Sequence, residues 1–541
     1  MSEQAANSSE TRNAKARKAG LAAVASLPTD PTGLIKYQSR GHVAVIGNAN
    51  AIEIAKRLHG NLRPQLLLLE EAGATNTQAL AVGGRSISIE GYLGAFSIRI
   101  AEEGAADTET VRVDLILDLS PTPILGMAMK PPGYFAPAGE DSALEDALSE
   151  LAQMVGSFEK PRYFEYDPSV CAHGRSGITA CRRCIDACPA EAIRSLAESI
   201  EVDANLCQGG GICATVCPSG AISYNYPGAS DTLLRIKTLL QGYREQGGQD
   251  PVVVFVTAGD GGPPWLQQGN LLPVAVEELA SVGLEVWLST LAYGAKAALL
   301  LDDGATAAGV LSAIEEQIDV SREILAAMGY DANAVRLVTA ADLCADFARL
   351  MPEIAAASFA AIGGKRQTAY FAIDHLYDQA ARPKPLANLP VGAPFGTAYV
   401  SEQSCTLCFA CVGACPGKAL QPGEGEPRLR FIEANCLQCG MCTRTCPENA
   451  IWITPRLLFD RPARHKLRTL YEEEPFCCTC CGKPFATRSV IDSMLTKLQS
   501  HPMFQDERAR KRLTMCDDCR VIDAVQDPDA MEAGIHGQKF Q

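Results

Sequence analysis

Residues 405–416 read Cys-Thr-Leu-Cys-Phe-Ala-Cys-Val-Gly-Ala-Cys-Pro, and residues 436–447 read Cys-Leu-Gln-Cys-Gly-Met-Cys-Thr-Arg-Thr-Cys-Pro. In both stretches, two residues separate each of the first three cysteines, and proline follows the fourth. A loop of this kind directs three thiolates at one iron–sulfur cubane, while the fourth cysteine ligates the other cubane. The spacing therefore predicts two clusters with crossed ligand sets. One predicted set is Cys405, Cys408, Cys411 and Cys446, and the other is Cys436, Cys439, Cys442 and Cys415.

A pair of zinc sites is the competing interpretation of these eight cysteines. Zinc, however, requires neither two matching runs nor a proline after each fourth cysteine. The two runs resemble those of bacterial two-cluster ferredoxins over residues 398–456. This resemblance implies a small α+β module with two 4Fe-4S centres.

Residues 181–189 and 207–218 repeat the same spacing with two defects. In the first run, Ile178 stands where the leading cysteine is expected, and Cys171 would have to reach the site through a loop insertion. In the second run, Gly210 stands at the central ligand position and offers no side chain. The crossing rule then predicts one complete ligand set and one set of three thiolates. The complete set is Cys171, Cys181, Cys184 and Cys217, and the three-thiolate set is Cys188, Cys207 and Cys213.

Three thiolates fit a 3Fe-4S cluster, or a 4Fe-4S cluster whose fourth ligand is not a protein group. His173 is a further candidate ligand, although a loop histidine more often forms a hydrogen bond or is exposed to solvent. An open iron could also bind a substrate, but a missing cysteine more often marks a degenerate module. We therefore expect three 4Fe-4S clusters and one further 3Fe-4S or incomplete 4Fe-4S cluster.

Two cysteine pairs near the C-terminus have the spacing of zinc knuckles. Residues 477–485 read Cys-Cys-Thr-Cys-Cys-Gly-Lys-Pro-Phe, and residues 516–519 read Cys-Asp-Asp-Cys. The glycine after Cys481 is usual for a zinc knuckle, whereas Cys477 with Cys480 is the alternative first pair. A fifth iron–sulfur cluster is the alternative metal centre. The predicted zinc ligands are Cys478, Cys481, Cys516 and Cys519.

Two further segments have the patterns of α/β domains. Residues 35–160 begin with a strand and a turn at His42–Gly47. Of the three glycines of the dinucleotide-binding fingerprint, only Gly47 is present. We therefore expect a structural α/β domain rather than a dinucleotide-binding one. Residues 231–390 predict a βαβ pattern with a parallel sheet, including a helix at 272–282 and a strand at 285–288.

The segment 231–390 resembles the delta subunit of methyl-viologen-reducing hydrogenases, both in element order and in the stretch Tyr293-Gly-Ala-Lys-Ala-Ala-Leu-Leu-Leu. The cysteines that bind a 2Fe-2S centre in that family are absent from this segment. The resemblance therefore implies a docking or spacing domain without its own cofactor.

The expected fold class is a multidomain α/β and α+β protein. Two α/β domains are interleaved with two bacterial dicluster ferredoxin-like modules, and a small zinc-binding domain follows at the C-terminus. The predicted segments are a disordered tail (1–34), an α/β domain without a nucleotide fingerprint (35–160), a degenerate dicluster module (161–230), the hydrogenase-delta-like α/β domain (231–390), the complete dicluster module (398–456) and a helical zinc-binding domain with four cysteine ligands (457–541).

Composition narrows the function classes. The chain has 541 residues and a net charge of −15, which disfavours nucleic acid because phosphate binding needs clustered lysine and arginine. No uninterrupted apolar stretch is long enough to predict a membrane span. The 22 cysteines fall mostly in metal-ligand spacings rather than in a small disulfide-rich domain, so we expect a cytoplasmic protein.

The order of segments resembles the large multi-cluster ferredoxin-type proteins associated with bacterial formate dehydrogenases of the molybdenum or tungsten class. The stretches Pro131-Pro-Gly-Tyr-Phe, Glu159-Lys-Pro-Arg-Tyr-Phe and Cys481-Gly-Lys-Pro-Phe are part of this resemblance. It implies a redox-enzyme partner, such as formate dehydrogenase. We expect an electron-transfer component rather than a stand-alone catalyst, with a maturation or assembly factor for that enzyme as the alternative.

Overall fold

The computed structural model describes residues 2–28, 32–69, 80–82, 85–102, 108–137, 141–257, 269–344, 347, 349–360, 363–424 and 426–527. The chain divides into two units. The first comprises Met1–Pro168 and Arg182–Lys384, and the second comprises Ser169–Cys181 and Pro385–Gln541. Across the described ranges, no helix is long and apolar enough to cross a membrane.

The first domain of the first unit is built on a five-stranded parallel sheet. The central strand His42–Gly47 is apolar on both faces because both faces are covered, as is usual for parallel sheets. A three-stranded antiparallel sheet packs on one face, and two helices pack on the other. The other strands of the parallel sheet are Arg63–Leu68, Leu80–Ala81, Leu115–Asp118 and Tyr134–Phe135; the antiparallel strands are Ser86–Glu90, Phe96–Ala101 and Thr108–Val113; the helices are Asn50–Arg57 and Asp141–Gln153.

An antiparallel strand pair, Leu34–Ser39 with Gly156–Pro161, joins the beginning and end of this first domain. The chain then enters the degenerate module, whose strands Phe164–Tyr166 and Ile222–Tyr224 also pair antiparallel. Between them lie a short hairpin and two helices of five residues each, which gives the α+β arrangement expected for this segment. These inner elements are Arg183–Ala187, Ile193–Leu196, Ser199–Val202 and Ile212–Val216.

The predicted disordered tail is a helix over Ser2–Ala25. Ala16 is buried, and a β-carbon on Gly20 would lie only 2.8 Å from the Leu239 carbonyl oxygen. Glycine thus permits the close approach of this helix to the helix Ala229–Glu245. Because the stability of such a helix comes from packing rather than from its own polar sequence, local composition did not predict it.

The second α/β domain contains a four-stranded parallel sheet, as predicted. Two of its predicted elements were wrong. Residues 272–282 are not a helix but contain the strand Leu271–Val276, and residues 285–288 belong to the helix Leu284–Ala292. All nine residues of that helix are buried, including Glu285, Ser289 and Thr290, so it has no solvent-exposed face to reveal a helical period. The other strands are Val252–Thr257, Ala297–Leu301 and Val335–Val338, and the other helices are Ala229–Glu245, Ala308–Met328 and Lys365–Gln379.

The second unit holds the complete module between two antiparallel strands, Gly396–Val400 and Ile451–Leu458. Its C-terminal part was predicted to be helical, but a short hairpin of Pro475–Cys477 and Pro484–Thr487 precedes the helices. The remaining elements are the strands Gly174–Arg175, Ile178–Thr179, Leu386–Asn388, Leu420–Pro422, Arg428–Phe431 and Arg468–Glu472, and the helices Ala410–Ala414, Met441–Thr445, Arg461–His465, Arg488–Leu498, Glu507–Arg512 and Asp517–Val525.

Candidate metal centres

The eight cysteines of the complete module line two apolar cavities. Cys446 comes from the second run but lines the cavity of the first, and Cys415 comes from the first run but lines the cavity of the second. The structure therefore brings together the two crossed sets that the spacing predicted. The first cavity contains Cys405, Cys408, Cys411 and Cys446, and the second contains Cys415, Cys436, Cys439 and Cys442.

The backbone of each run is shaped by residues in the left-handed region. Leu407 and Phe409 have φ of 54° and 59°, and Gln438 and Gly440 have φ of 52° and 77°. Residues other than glycine rarely adopt this backbone conformation. Its recurrence at equivalent positions shows that both runs fold as the same loop. Each loop leads into a five-residue helix that ends before the Cys-Pro pair.

Several of the cysteines in these cavities have pKa values that burial raises. Burial, followed by the charges of neighbouring cysteines, raises the pKa of Cys411 to about 12 and the pKa of Cys439 to about 12. Burial and the neighbouring cysteines also raise the pKa of Cys442. Four thiolates in one apolar cavity are therefore favourable only if a cationic group neutralises them. The donor set fits an iron–sulfur cluster, which takes four thiolates in this spacing.

Hydrogen bonds to sulfur are present at both centres. The Gln438 Nε2 group donates to Cys436 Sγ at 3.3 Å, and the Ala450 backbone N–H donates to Cys446 Sγ at 3.3 Å. Donors of this kind stabilise the more negative, reduced state of a cluster. Cys408 is exposed, whereas Cys439, at the equivalent position of the second run, is only partly exposed.

The second run of the degenerate module keeps the same loop although it lacks a ligand. Gly209 and Gly211 have φ of 82° and 73°, matching the positions of Gln438 and Gly440, and Gly210 stands at the position of Cys439. Burial raises the pKa of Cys213 well above its usual value, and the charges of Cys207, Cys188 and Cys184 raise it further. Cys213 therefore lies near the other two cysteines of its predicted set and also near Cys184 of the other set.

The other predicted set of the degenerate module is Cys171, Cys181, Cys184 and Cys217, and it stays a prediction. Cys171 and Cys181 belong to the second unit, while Cys184 and Cys217 belong to the first. The first run also lacks the usual loop, since Arg182, at the position of Phe409, has φ of −123°. His173 is buried, and its Nδ1 lies 2.8 Å from the Cys181 carbonyl oxygen, as in a hydrogen-bonding histidine.

A lysine that the sequence analysis did not single out lies beside the three-cysteine group. Lys160 Nζ donates to the carbonyl oxygens of Asn205 at 2.8 Å and Cys207 at 2.6 Å, and it lies 5.1 Å from the centroid of the Tyr37 ring. Burial lowers the pKa of Lys160 to about 8, against the opposing charges of Cys207 and Asp203. A strand of the first domain thus places a cation next to this centre, and no local motif predicts that contact.

The four C-terminal cysteines chosen as zinc ligands converge. The sulfur atoms of Cys478, Cys481, Cys516 and Cys519 all lie within 4.8 Å of one another. The hairpin presents the first pair, and the second pair lies at the start of the helix Asp517–Val525. Cys477 and Cys480, the alternative first pair, lie outside this group. This donor set fits a single tetrahedral metal ion.

Two families of known domains match the chain. The family described as "4Fe-4S dicluster domain" matches residues 404–451, and the family described as "4Fe-4S binding domain" matches residues 200–223. The second match covers the run that contains Gly210. The chain therefore contains two ferredoxin-type domains of the 4Fe-4S class.

Curated relatives share short segments with the chain. "Ferredoxin-type protein NapF" of Escherichia coli (strain K12) is 41% identical over 46 residues, which are 8% of this chain and 28% of the relative. "NADH-quinone oxidoreductase subunit I 2" of Geobacter metallireducens is 29% identical over 62 residues, which are 10% of this chain and 47% of the relative. The chain thus spans less than half the length of each of these two relatives.

Proposed function

We propose that this protein is an iron–sulfur electron carrier that passes single electrons between redox enzymes. The observation that carries the proposal is the convergence of eight cysteines, in two crossed sets of four, around two adjacent cavities. When bound, 4Fe-4S clusters there would accept and release single electrons. The names of the relatives, a ferredoxin-type protein and a subunit of a quinone oxidoreductase, support this class of function.

The residues of the complete module have three tasks in this function. Its cysteines hold the clusters, and its apolar cavity walls, such as Phe431 and Ile453, limit solvent access. The N–H donors of Gln438 and Ala450 stabilise the reduced state. The exposed Cys408 gives the first cluster an edge at which a partner could exchange electrons. These residues move no proton and touch no substrate in this role.

The full cofactor set follows from the remaining cysteines. We assign a third 4Fe-4S cluster to Cys171, Cys181, Cys184 and Cys217, and a centre with three thiolates to Cys188, Cys207 and Cys213. We assign zinc to the C-terminal group, because four thiolates within 4.8 Å of one another suit one tetrahedral ion better than a cubane. That site would stabilise the C-terminal hairpin and helices and take no part in electron transfer.

The proposed partner is a formate dehydrogenase of the molybdenum or tungsten class, in the cytoplasm. This part of the proposal rests on the resemblance of the segment order, and the net charge of −15 favours a protein partner over nucleic acid. The α/β domain of residues 231–390, which resembles a hydrogenase delta subunit, would bind the partner or set its distance from the clusters.

The test is reduction of the full-length, anaerobically purified protein by purified formate dehydrogenase and formate, followed by absorbance and EPR. We expect the clusters to be reduced at a rate that depends on both proteins. Cys411→Ser should lose a cluster and slow the reaction, whereas the control Cys480→Ser, outside every assigned set, should not. Negligible reduction, together with a deletion strain that accumulates dehydrogenase lacking its metal cofactor, would refute electron transfer and support maturation.

A further inference from the structure

The vacant ligand position of the three-cysteine centre is defined by its backbone. Gly209 and Gly211 reproduce the loop that places Cys439 in the complete module, so residue 210 takes the place of Cys439 in that loop. A β-carbon on Gly210 would lie 3.6 Å from Pro189 Cγ and 3.7 Å from Met129 Cε. These are ordinary van der Waals distances, so a methionine from another domain approaches the position where the fourth ligand would begin.

Residues 127–131 form a strap that is attached to both runs of the degenerate module. The Met129 backbone N–H donates to the Pro189 carbonyl oxygen at 2.9 Å, which fixes the strap to the first run. The Gln208 side-chain Nε2 donates to the Lys130 carbonyl oxygen at 2.5 Å, which fixes it to the second. The Lys130 Nζ group donates to the Met127 carbonyl oxygen at 2.8 Å and holds the strap's own turn.

An aromatic ring covers the neighbouring glycine of this loop. A β-carbon on Gly209 would lie 2.8 Å from Tyr163 Cδ1, so the ring packs directly on the backbone of the turn. Tyr163 also stacks with Tyr224 at a centroid distance of 6.2 Å. The loop is therefore held by both the strap and a tyrosine pair, and it has little freedom to recruit a ligand from elsewhere.

We propose that Met129, on this strap, caps the vacant corner of the cubane, where a fourth iron would bind. The centre on Cys188, Cys207 and Cys213 then stays a three-iron cluster that external ligands cannot reach. The inference rests on the proposed function only in requiring that this centre binds iron and sulfide. A fourth iron at the corner would need a water, hydroxide or thiol ligand. The methyl group of Met129 and the ring of Pro189 occupy the space that such a ligand would need, and a thioether is a weak ligand for iron compared with a thiolate.

The experiment uses full-length protein purified anaerobically, with iron and sulfide analysis and EPR of the oxidised state. Wild type should show the signal of an oxidised three-iron cluster, and Cys207→Ser should lose it. Reduced protein is then incubated with excess ferrous iron and reoxidised. The signal should persist in wild type, whereas Met129→Ala should lose it roughly tenfold faster as a fourth iron enters. The control Met127→Ala truncates the same side-chain type on the same strap, where it packs on the first domain's core, and should behave as wild type.

Gly210→Cys combined with Met129→Ala provides an independent arm, because a fourth thiolate at the uncovered position should convert the centre to four irons and remove the three-iron signal. Loss of the wild-type signal as fast as in Met129→Ala would refute the cap, as would a wild-type protein with no three-iron signal. None of these measurements involves a dehydrogenase. Failure of the cap and failure of the proposed electron-transfer partnership are therefore distinguishable.

Discussion

Replacing Lys160 with methionine should lower the reduction potential of the cluster on Cys188, Cys207 and Cys213. The Lys160 ammonium donates to the Cys207 carbonyl oxygen at 2.6 Å, so a positive charge lies close to one of the three ligands. Reduction adds one negative charge to the cluster, and a nearby cation stabilises that state. Methionine keeps much of the side-chain length and removes the charge.

The magnitude follows from Coulomb's law. Covalent geometry puts the ammonium roughly 7 Å from the centre of a cluster bound to Cys207. With an effective dielectric constant of about 20 to 40, the interaction with one added electron is about 1–2 kcal/mol. For a one-electron couple, this corresponds to a decrease of about 50–100 mV on removal of the charge.

An EPR-monitored redox titration of the full-length protein at pH 7 measures this effect. The relevant cluster is identified as the one whose signal disappears in Cys207→Ser. Lys36→Met is the matched control, since the Lys36 side chain is 77% exposed and pairs with Glu159. Solvent and salt screen such a charge, so its removal should change the potential by less than roughly 10 mV. Lys160→Arg keeps the charge and should restore most of the wild-type potential.

An unchanged or higher potential in Lys160→Met would refute this reasoning. An equal decrease in Lys36→Met would also refute it, because the effect would then reflect the net charge of the protein. If Lys160→Arg shifted the potential as far as Lys160→Met, the lysine would act through its hydrogen bonds to the loop rather than through its charge.

Two further predictions concern the second unit. Glu433 is buried and accepts hydrogen bonds from Arg456 at 2.6 and 2.8 Å, so Glu433→Gln should lower the free energy of unfolding of this unit by about 1.5–3 kcal/mol. A guanidinium titration, monitored by the loss of cluster absorbance, measures this change. Glu424→Gln is the control, because the Glu424 side chain is 93% exposed and its replacement should change the unfolding midpoint little. Equal midpoints for Glu433→Gln and Glu424→Gln would contradict the prediction. Cys481→Ser should lose about one zinc per chain by elemental analysis, whereas Cys480→Ser should retain it. Loss of iron instead of zinc would reassign the site.

Cysteine spacing alone predicted the crossed sets around the two cavities of the complete module. A ligand loop is a local structure, so the separation of Cys405 from Cys408 and Cys411 carries most of its geometry. The proline after each fourth cysteine indicated that Cys415 and Cys446 each belong to the ligand set of the other run. The choice of Cys478 over Cys477 also followed from a local feature, the glycine turn of the knuckle.

Sequence periodicity is informative for elements that have one polar face and for short, continuous apolar strands. The hairpin of Ser86–Glu90 with Phe96–Ala101 has alternating burial, and the strand Ala297–Leu301 is wholly buried and apolar. The same criterion failed for the helix Leu284–Ala292, because a fully buried helix and a buried strand both appear as apolar runs. It also failed for the helix Ser2–Ala25, whose stability depends on contacts outside it.

The sequence by itself determined which cysteines can share a centre, since that depends on neighbours along the chain. Only the tertiary structure decided what surrounds the incomplete centre. Met129 and Lys160 belong to the first α/β domain and approach residues 207–210 through hydrogen bonds between distant segments. Such contacts depend on how whole domains pack against one another, and no local spacing or periodicity encodes that packing.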